Sequence, residues 1–470
     1  MKSFIIPRLS IMMFLQYFTW GAWYVTAPRY LGTIGFKATD YAWTYSVGPI
    51  AGMISPLFVG MIADRFFATQ RVLGIMHILG AVVMTVAIML MKTGDVSPAI
   101  INLIFFAYML CYFPTLSLTN TLAMHNIEDS EKQFPAIRVF GTIGWIIAGV
   151  VLGWLVWGGS INMFYLAAGS AFVLGAYCLT LPHTPPPLAG QKASIRELLG
   201  LDALVLLKRR SFLIFMISSL LICAPLAFYY QLAERAVTQA GLKQPPTKMA
   251  FGQVSEIFFM LLMPFFFKRL GVKWMLLVGM GAWVLRYALF AVGAPESIAW
   301  MMIGGIVLHG VCYDFFFVTG QIYTDKIAPA SIRGQAQGML VLFTIGLGML
   351  IGAQVAGKVE QANTPQETRT FNEDAQAIAK QIEVLKKKRA SGGQEAGADV
   401  SKSIAQLEQQ QKELSLKALQ AMNWRNIWAI PAVAAGVIFL LFALMFKDDV
   451  PPNAISEQNV VEAAATDEYP

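Results

Sequence analysis

The chain has little charge. Of its 470 residues only 13% are Asp, Glu, Lys or Arg, against about a quarter in a soluble globular chain. That shortage excludes an ordinary soluble domain. With 56% hydrophobic residues and a mean hydropathy of +0.57, the chain belongs among polytopic membrane proteins. Cysteine is scarce too. Cys111, Cys178, Cys223 and Cys312 sit in separate apolar runs, so neither a disulfide framework nor a thiolate metal site is expected. There is no His-Glu-x-x-His, no Gly-x-Ser-x-Gly and no paired metal-ligand spacing, so no enzyme, metal or cofactor is expected. The net charge of +7 needs no nucleic-acid partner, because loop lysines and arginines account for it. The start lacks the layout of a cleavable leader; the first apolar run, from about Leu9 to Val25, reads as a first span.

What the chain has in abundance is long apolar runs. A bilayer crossing needs about 20 apolar residues. Twelve stretches qualify: 8–30, 41–63, 71–92, 98–122, 136–158, 161–182, 211–236, 247–269, 272–293, 297–324, 333–357 and 424–447. The expected fold is an all-α membrane protein of two six-helix halves, 1–182 and 211–357 with 424–447. With the N-terminus inside, the inside segments carry seventeen Lys and Arg, and the short outside loops carry six: Arg29, Lys37, Lys92, Arg235, Lys243 and Lys248. That bias predicts both termini in the cytoplasm. The tail, 448–470, is expected to be cytoplasmic and disordered.

The segment 183–210 opens with Pro182-His183-Thr184-Pro185-Pro186-Pro187 and ends in Lys208-Arg209-Arg210. Its prolines block helix continuation, and its basic cluster stays cytoplasmic, so it reads as the linker between halves. A faint repeat supports the division. Gly60-Met-Ile-Ala-Asp64-Arg65 ends the second span, and Pro264-Phe-Phe-Phe-Lys268-Arg269 ends the eighth. Pro135-Ala-Ile-Arg138 and Pro329-Ala-Ser-Ile-Arg333 open the fifth span of each half. Duplicated halves suggest a transporter with its site between them.

The segment 358–423 differs in kind. Phe371, Ala375, Ile378, Ile382 and Leu385 recur at helical spacing, as do Val400, Ile404, Leu407, Leu414, Ala418 and Ala421. A glycine-rich stretch from Ala390 to Asp399 separates them. This predicts an extracytoplasmic helical hairpin, either a solvated decoration or the docking site of a protein partner.

Several polar residues lie inside apolar runs. Asp314 sits mid-run within His309-Gly-Val-Cys-Tyr313-Asp314-Phe-Phe-Phe317. A carboxylate there costs roughly 3 kcal/mol, so it faces a partner or a wet cavity. His309 and Tyr313 are four apart and share a face. Gln253 and Glu256 are three apart on one face of the eighth span. Desolvation disfavours the ionised form of Glu256 unless a cation pairs with it, which suits a proton-coupling acid; a helix–helix hydrogen bond is the plainer alternative. Arg286, in the ninth span, needs a counter-charge, and Asp314 is the nearest by topology. That pairing would make Asp314 partly structural and leave Glu256 as the stronger proton carrier. Arg138, Thr142 and Trp145 share a face of the fifth span, and Tyr230 follows Pro225 in the seventh. Aromatic faces with a few amides and carboxylates suit a neutral, planar, hydroxylated solute.

These motifs resemble those of the bacterial nucleoside:proton symporters of the major facilitator superfamily. The similar stretches are Phe134-Pro-Ala-Ile-Arg138-Val-Phe-Gly-Thr142-Ile-Gly, Leu15-Gln16-Tyr-Phe-Thr-Trp20-Gly21-Ala-Trp23, Ala63-Asp64-Arg65, Leu199-Gly200-Leu201-Asp202-Ala203, Gln253-Val-Ser-Glu256, Tyr313-Asp314-Phe315-Phe316 and Ala336-Gln337-Gly338-Met339. The resemblance implies twelve helices, a central cavity and proton-driven nucleoside uptake through the bacterial inner membrane. It implies a nucleoside site at Arg138, Thr142, Trp145, Gln253, Glu256 and Tyr313, with Glu256 and Asp314 in proton coupling. The chain departs from a permease of that family at Ala227 and Tyr230, where that permease carries amides, at His309, where it has a tyrosine, and at Phe317 for an asparagine. Losing amides removes hydrogen bonds that would read a ribose or base edge; His309 and Tyr230 supply others. Two alternatives follow: a proton-coupled importer of a sugar or other small hydroxylated metabolite, and a membrane sensor or assembly subunit using the hairpin.

Overall fold

The computed structural model describes residues 4–94, 96–128, 130–186, 200–329, 332–391 and 397–448. Most of the proline-rich linker (187–199), the centre of the glycine-rich stretch (392–396), the tail from 449 and the side chains of Asp64 and Pro135 lie outside that description. The principal helices are α1 (Ile5–Gly21), α2 (Ala27–Thr33), α3 (Ala38–Arg65), α4 (Thr69–Thr93), α5 (Pro98–His125), α6 (Ser130–Trp154) and α7 (Asn162–Cys178). After a 3-10 turn, Leu201–Lys208, come α8 (Arg210–Gln239), α9 (Pro245–Gly293), α10 (Ala299–Ile327), α11 (Arg333–Ala362), α12 (Gln366–Ser391), α13 (Gly397–Gln420) and α14 (Trp424–Met445). Among the described residues, nine helices are long and apolar enough to cross a membrane.

α9 accounts for two of the expected runs. Its 49 residues would measure about 74 Å if straight, over twice a bilayer's hydrocarbon thickness. At Gly271 the backbone turns to φ 66°, ψ 179°, which a side chain would resist. Both arms then lie on one helix, α10: Gly252 packs on His309, and Gly279 packs on Phe315 and Phe316. The chain therefore reverses at Gly271.

The first expected run, 8–30, is broken. Pro28 has no N–H for the carbonyl of Tyr24, and the Tyr45 hydroxyl donates to that carbonyl instead, at 2.6 Å. α11 runs past its expected end at 357, because Glu360 is buried against α8. Two π-helical stretches interrupt the long helices, Asp314–Val318 in α10 and Leu342–Gly348 in α11. Such turns rotate the side chains that follow, and they often mark functional sites.

α1–α7 pack as one group and α8–α11 with α14 as another; they meet along two seams, α3 with α11 and α6 with α9. Both seams are tight at the end that carries α12 and α13. A Cβ on Gly357 would come within 2.5 Å of Ala42 Cβ, and Gln354 Nε2 donates to Ser46 Oγ at 2.8 Å. Gly153 backs directly onto Thr247. Toward the end that carries the N-terminus, Gly60, Gly334 and Gly338 have nothing beside them within 4 Å among the described residues. The halves are thus in close contact at the end that carries α12 and α13. α12 and α13 pack on each other through Ile378, Ile382 and Ile404, flanked by Leu385, Val400, Leu407 and Leu414.

Candidate substrate and proton site

The wall supplied by the first half is aromatic. On α6, Arg138 and Trp145 are buried and Thr142 lies between them. The Arg138 guanidinium sits 4.3 Å from the centroid of the Tyr17 ring on α1, a cation–π contact. Trp145 meets Trp20 edge-on, with centroids 5.6 Å apart. Trp20 also touches Tyr24 and Tyr112. Behind this wall, Gln16 donates to Thr115 at 2.7 Å and meets His77 Nε2 at 2.7 Å, while Tyr112 donates to the Gln16 carbonyl. Since the Gln16 amide nitrogen is the donor to Thr115, its oxygen accepts, and His77 carries its proton on Nε2. The network locks α1 against α4 and α5, which fixes Tyr17 and Trp20 toward α6.

The second half supplies a linear polar array. Glu256 on α9 lies 3.6 Å from His309 Nε2 on α10, within ion-pair range and longer than a good hydrogen bond. His309 Nδ1 lies 3.1 Å from Arg286 Nη1 on the second arm of α9. The Arg286 guanidinium is stacked 3.6 Å over the Tyr229 ring, and Tyr229 stacks in turn beside His309 at 5.9 Å. Arginine only donates, so Nδ1 of His309 must accept, and its proton sits on Nε2, toward Glu256. Glu256, His309 and Arg286 are each under 5% exposed. Tyr313 and Phe317 continue the His309 face at centroid distances of 5.6 and 4.9 Å.

The hydrogen bond of Arg286 therefore goes to His309, not to the expected partner Asp314. The reason is rotation about α10. His309 faces α9, whereas Asp314, one step and about 100° beyond Tyr313, opens the π-helical stretch and is fully buried.

Of the expected site residues, Trp145, Tyr230 and Gln253 line one small cavity between the halves, together with Gly21, Tyr229 and Ala250. At about 30 Å³ it has the room of a single water. Tyr230 of its wall meets Tyr24 of the other half with ring centroids 5.6 Å apart. Glu256, His309 and Tyr313 form their own connected row, and Arg138 and Thr142 lie along α6 from Trp145 toward the amino-terminal end. Tyr229 was expected at the cavity together with Tyr230, whereas Tyr17, Trp20 and Tyr24 were not singled out from sequence as site residues. Their signal was present, since they recur at three- and four-residue steps along one face. Among the described residues there is no group of His, Cys, Asp and Glu able to hold a metal ion.

Comparison with known proteins agrees with this architecture. The profile of the family "Nucleoside H+ symporter" matches residues 3–379. A putative nucleoside transporter of Escherichia coli K12, YegT, is 42% identical over 378 residues, 78% of this chain and 88% of that protein. The nucleoside permease NupG of the same organism is 31% identical over 373 residues, 76% of this chain and 88% of its own length. The crystal structure of an aspartate-to-alanine variant of NupG superimposes with a TM-score of 0.78 at 27% identity, covering 94% of this chain and all of that one. The chain belongs to the nucleoside:proton symporter family and shares the transporter fold of NupG, that of the major facilitator superfamily.

Proposed function

We propose that the chain imports nucleosides across the bacterial cytoplasmic membrane in symport with protons, by alternating access between two six-helix halves. The observation that carries this reading is the buried row Glu256–His309–Arg286 in one half, set across from the aromatic wall of Trp20 and Trp145 in the other. Twelve crossings are counted by splitting α9 at Gly271 and adding the shorter α1 and α7 to the long apolar helices. The excess of Lys and Arg on the amino-terminal side puts both termini in the cytoplasm, so the closed ends of the seams face outward and this state faces inward.

In the proposed cycle the base stacks between aromatic rings, with Trp145 as the nearest candidate, and Tyr230 and Gln253 donate to its edge or to the ribose. Arg286 holds His309 neutral with its proton directed at Glu256. Glu256 is then the group that takes a proton from outside and loses it inside. With Glu256 ionised, the cost of keeping a charge in a dry interface opposes closure of the halves; protonation lowers that cost and lets the loaded halves rock. Asp314, buried at the π-helical turn, is proposed as a second acid tied to the same movement, and its pairing with Arg286 as a contact of another state of the cycle.

The test is uptake of labelled nucleosides, nucleobases and sugars by cells lacking their own permeases, with and without a protonophore. The expected result is protonophore-sensitive nucleoside accumulation. Accumulation of sugars alone would replace the substrate class, and uptake indifferent to the protonophore would remove the coupling.

A further inference from the structure

Beyond the site, α8 runs outward and carries Gln231, Glu234 and Arg235 near its end, all three buried. Arg235 makes paired bonds of 2.7 and 2.8 Å to Glu360 on α11. Its guanidinium also lies 4.5 Å over the ring of Tyr41, which belongs to the other half. Glu234 receives Arg29, again from the other half, at 3.2 Å. The closed end is therefore fastened across the seam by one ion pair and one cation–π contact. The cation–π contact is joined, through the bond of Arg235 to Glu360, to the helix that runs on into α12.

Above these fastenings lies a chamber of about 910 Å³, walled by both halves and by α12 and α13. The base of the helix pair is fixed to the second half: α11 leads directly into it, and Asn423 N donates to the Asn363 carbonyl at 3.1 Å. The far part of α12 lies on the first half. Gln376 sits beside Gly35, and Glu383 sits beside Gly94. From Gln366 to Glu383 is about 25 Å along a helix, enough to cross from one half onto the other.

A segment rooted in one half and seated on the other opposes their separation. We propose that the α12–α13 hairpin is a strap across the outer mouth of the transporter, which favours the outward-closed state and has to shift off the first half before substrate enters. Its partner is the first half of its own chain. The proposal rests on the alternating-access reading above, but its test needs no substrate and so stands apart from the identity of the solute.

Ser46 is fully buried in the outer part of the α3–α11 seam, under Gln354. Ser46→Cys is nearly isosteric and reports opening of that seam through its rate of labelling by a membrane-impermeant maleimide from outside. The parent chain, whose own cysteines are mostly buried, gives the blank. Because Asn363 and Asn423 are already hydrogen-bonded, residues 366–420 can be replaced by a short glycine turn. The expected result is labelling about fivefold faster or more, the shift that a loss near 1 kcal/mol produces in a two-state balance. In the full chain, Gln376→Trp, which wedges the strap off its contact with Gly35, gives a smaller rise in the same direction and covers the case in which the excised form does not fold. Unchanged or slower labelling in Gln376→Trp, or in a folded excised form, overturns the proposal.

Discussion

Arg286→Ala removes a guanidinium that is fully buried, bonded to His309 at 3.1 Å and stacked 3.6 Å over Tyr229. A hydrogen bond from a charged donor contributes about 1.5–3 kcal/mol, and a desolvated cation–π contact about 2 kcal/mol. The void left behind adds a cavity cost, while relief of the buried charge offsets part of the sum. The expected net loss is about 3 kcal/mol, read as a lower melting temperature and lower yield of purified protein. Arg286→Met refills the space without the charge, so it loses less stability. It also frees Nδ1 of His309 to accept a proton. Because His309 Nε2 lies 3.6 Å from Glu256, Arg286→Met should also alter the pH dependence of uptake. The paired assay is thermal unfolding of both variants and uptake against pH. Parent-like stability in Arg286→Ala, or normal expression with altered substrate preference, refutes the reasoning.

Three further outcomes are expected. Ala227→Gln with Tyr230→Asn introduces the amides of that family permease and should tighten nucleoside binding about fivefold, the effect of about 1 kcal/mol of hydrogen bonding; competition among unlabelled nucleosides measures it. Glu360→Ala leaves Arg235 buried beneath Tyr41 without its carboxylate, and breaking such a pair costs about 3–5 kcal/mol. It should lower thermal stability strongly, and by more than Arg29→Ala, which removes an arginine that is 27% exposed and one of the bonds to the buried Glu234. Trp145→Phe should raise KM for uptake several-fold while Trp145→Ala also lowers stability, because the buried ring lines the cavity and packs on Trp20 and Gly21 of its own half.

Most of the helix plan was legible because apolar runs are long and charge is scarce. Gln253 with Glu256, and His309 with Tyr313, were found by spacing along single helices. What spacing does not give is the rotation of one helix against another. Asp314 and His309 both lie in α10, yet only His309 is turned to the hydrogen bond of Arg286. The break in the first run follows from Pro28, but the compensating hydroxyl of Tyr45 comes from another helix. The outer fastening was hidden for a similar reason. Arg235 reads as a loop cation at the end of an apolar run, and its carboxylate, Glu360, stands 125 residues away in a segment that reads as insert.

The central claim is that Glu256 carries the coupled proton. Glu256→Gln keeps the shape and removes the titration. The decisive measurement is accumulation of labelled nucleoside in energised cells, beside counterflow exchange in preloaded vesicles. The account predicts no accumulation above the outside concentration, no response to protonophore and retained counterflow. Full protonophore-sensitive accumulation in Glu256→Gln would contradict it.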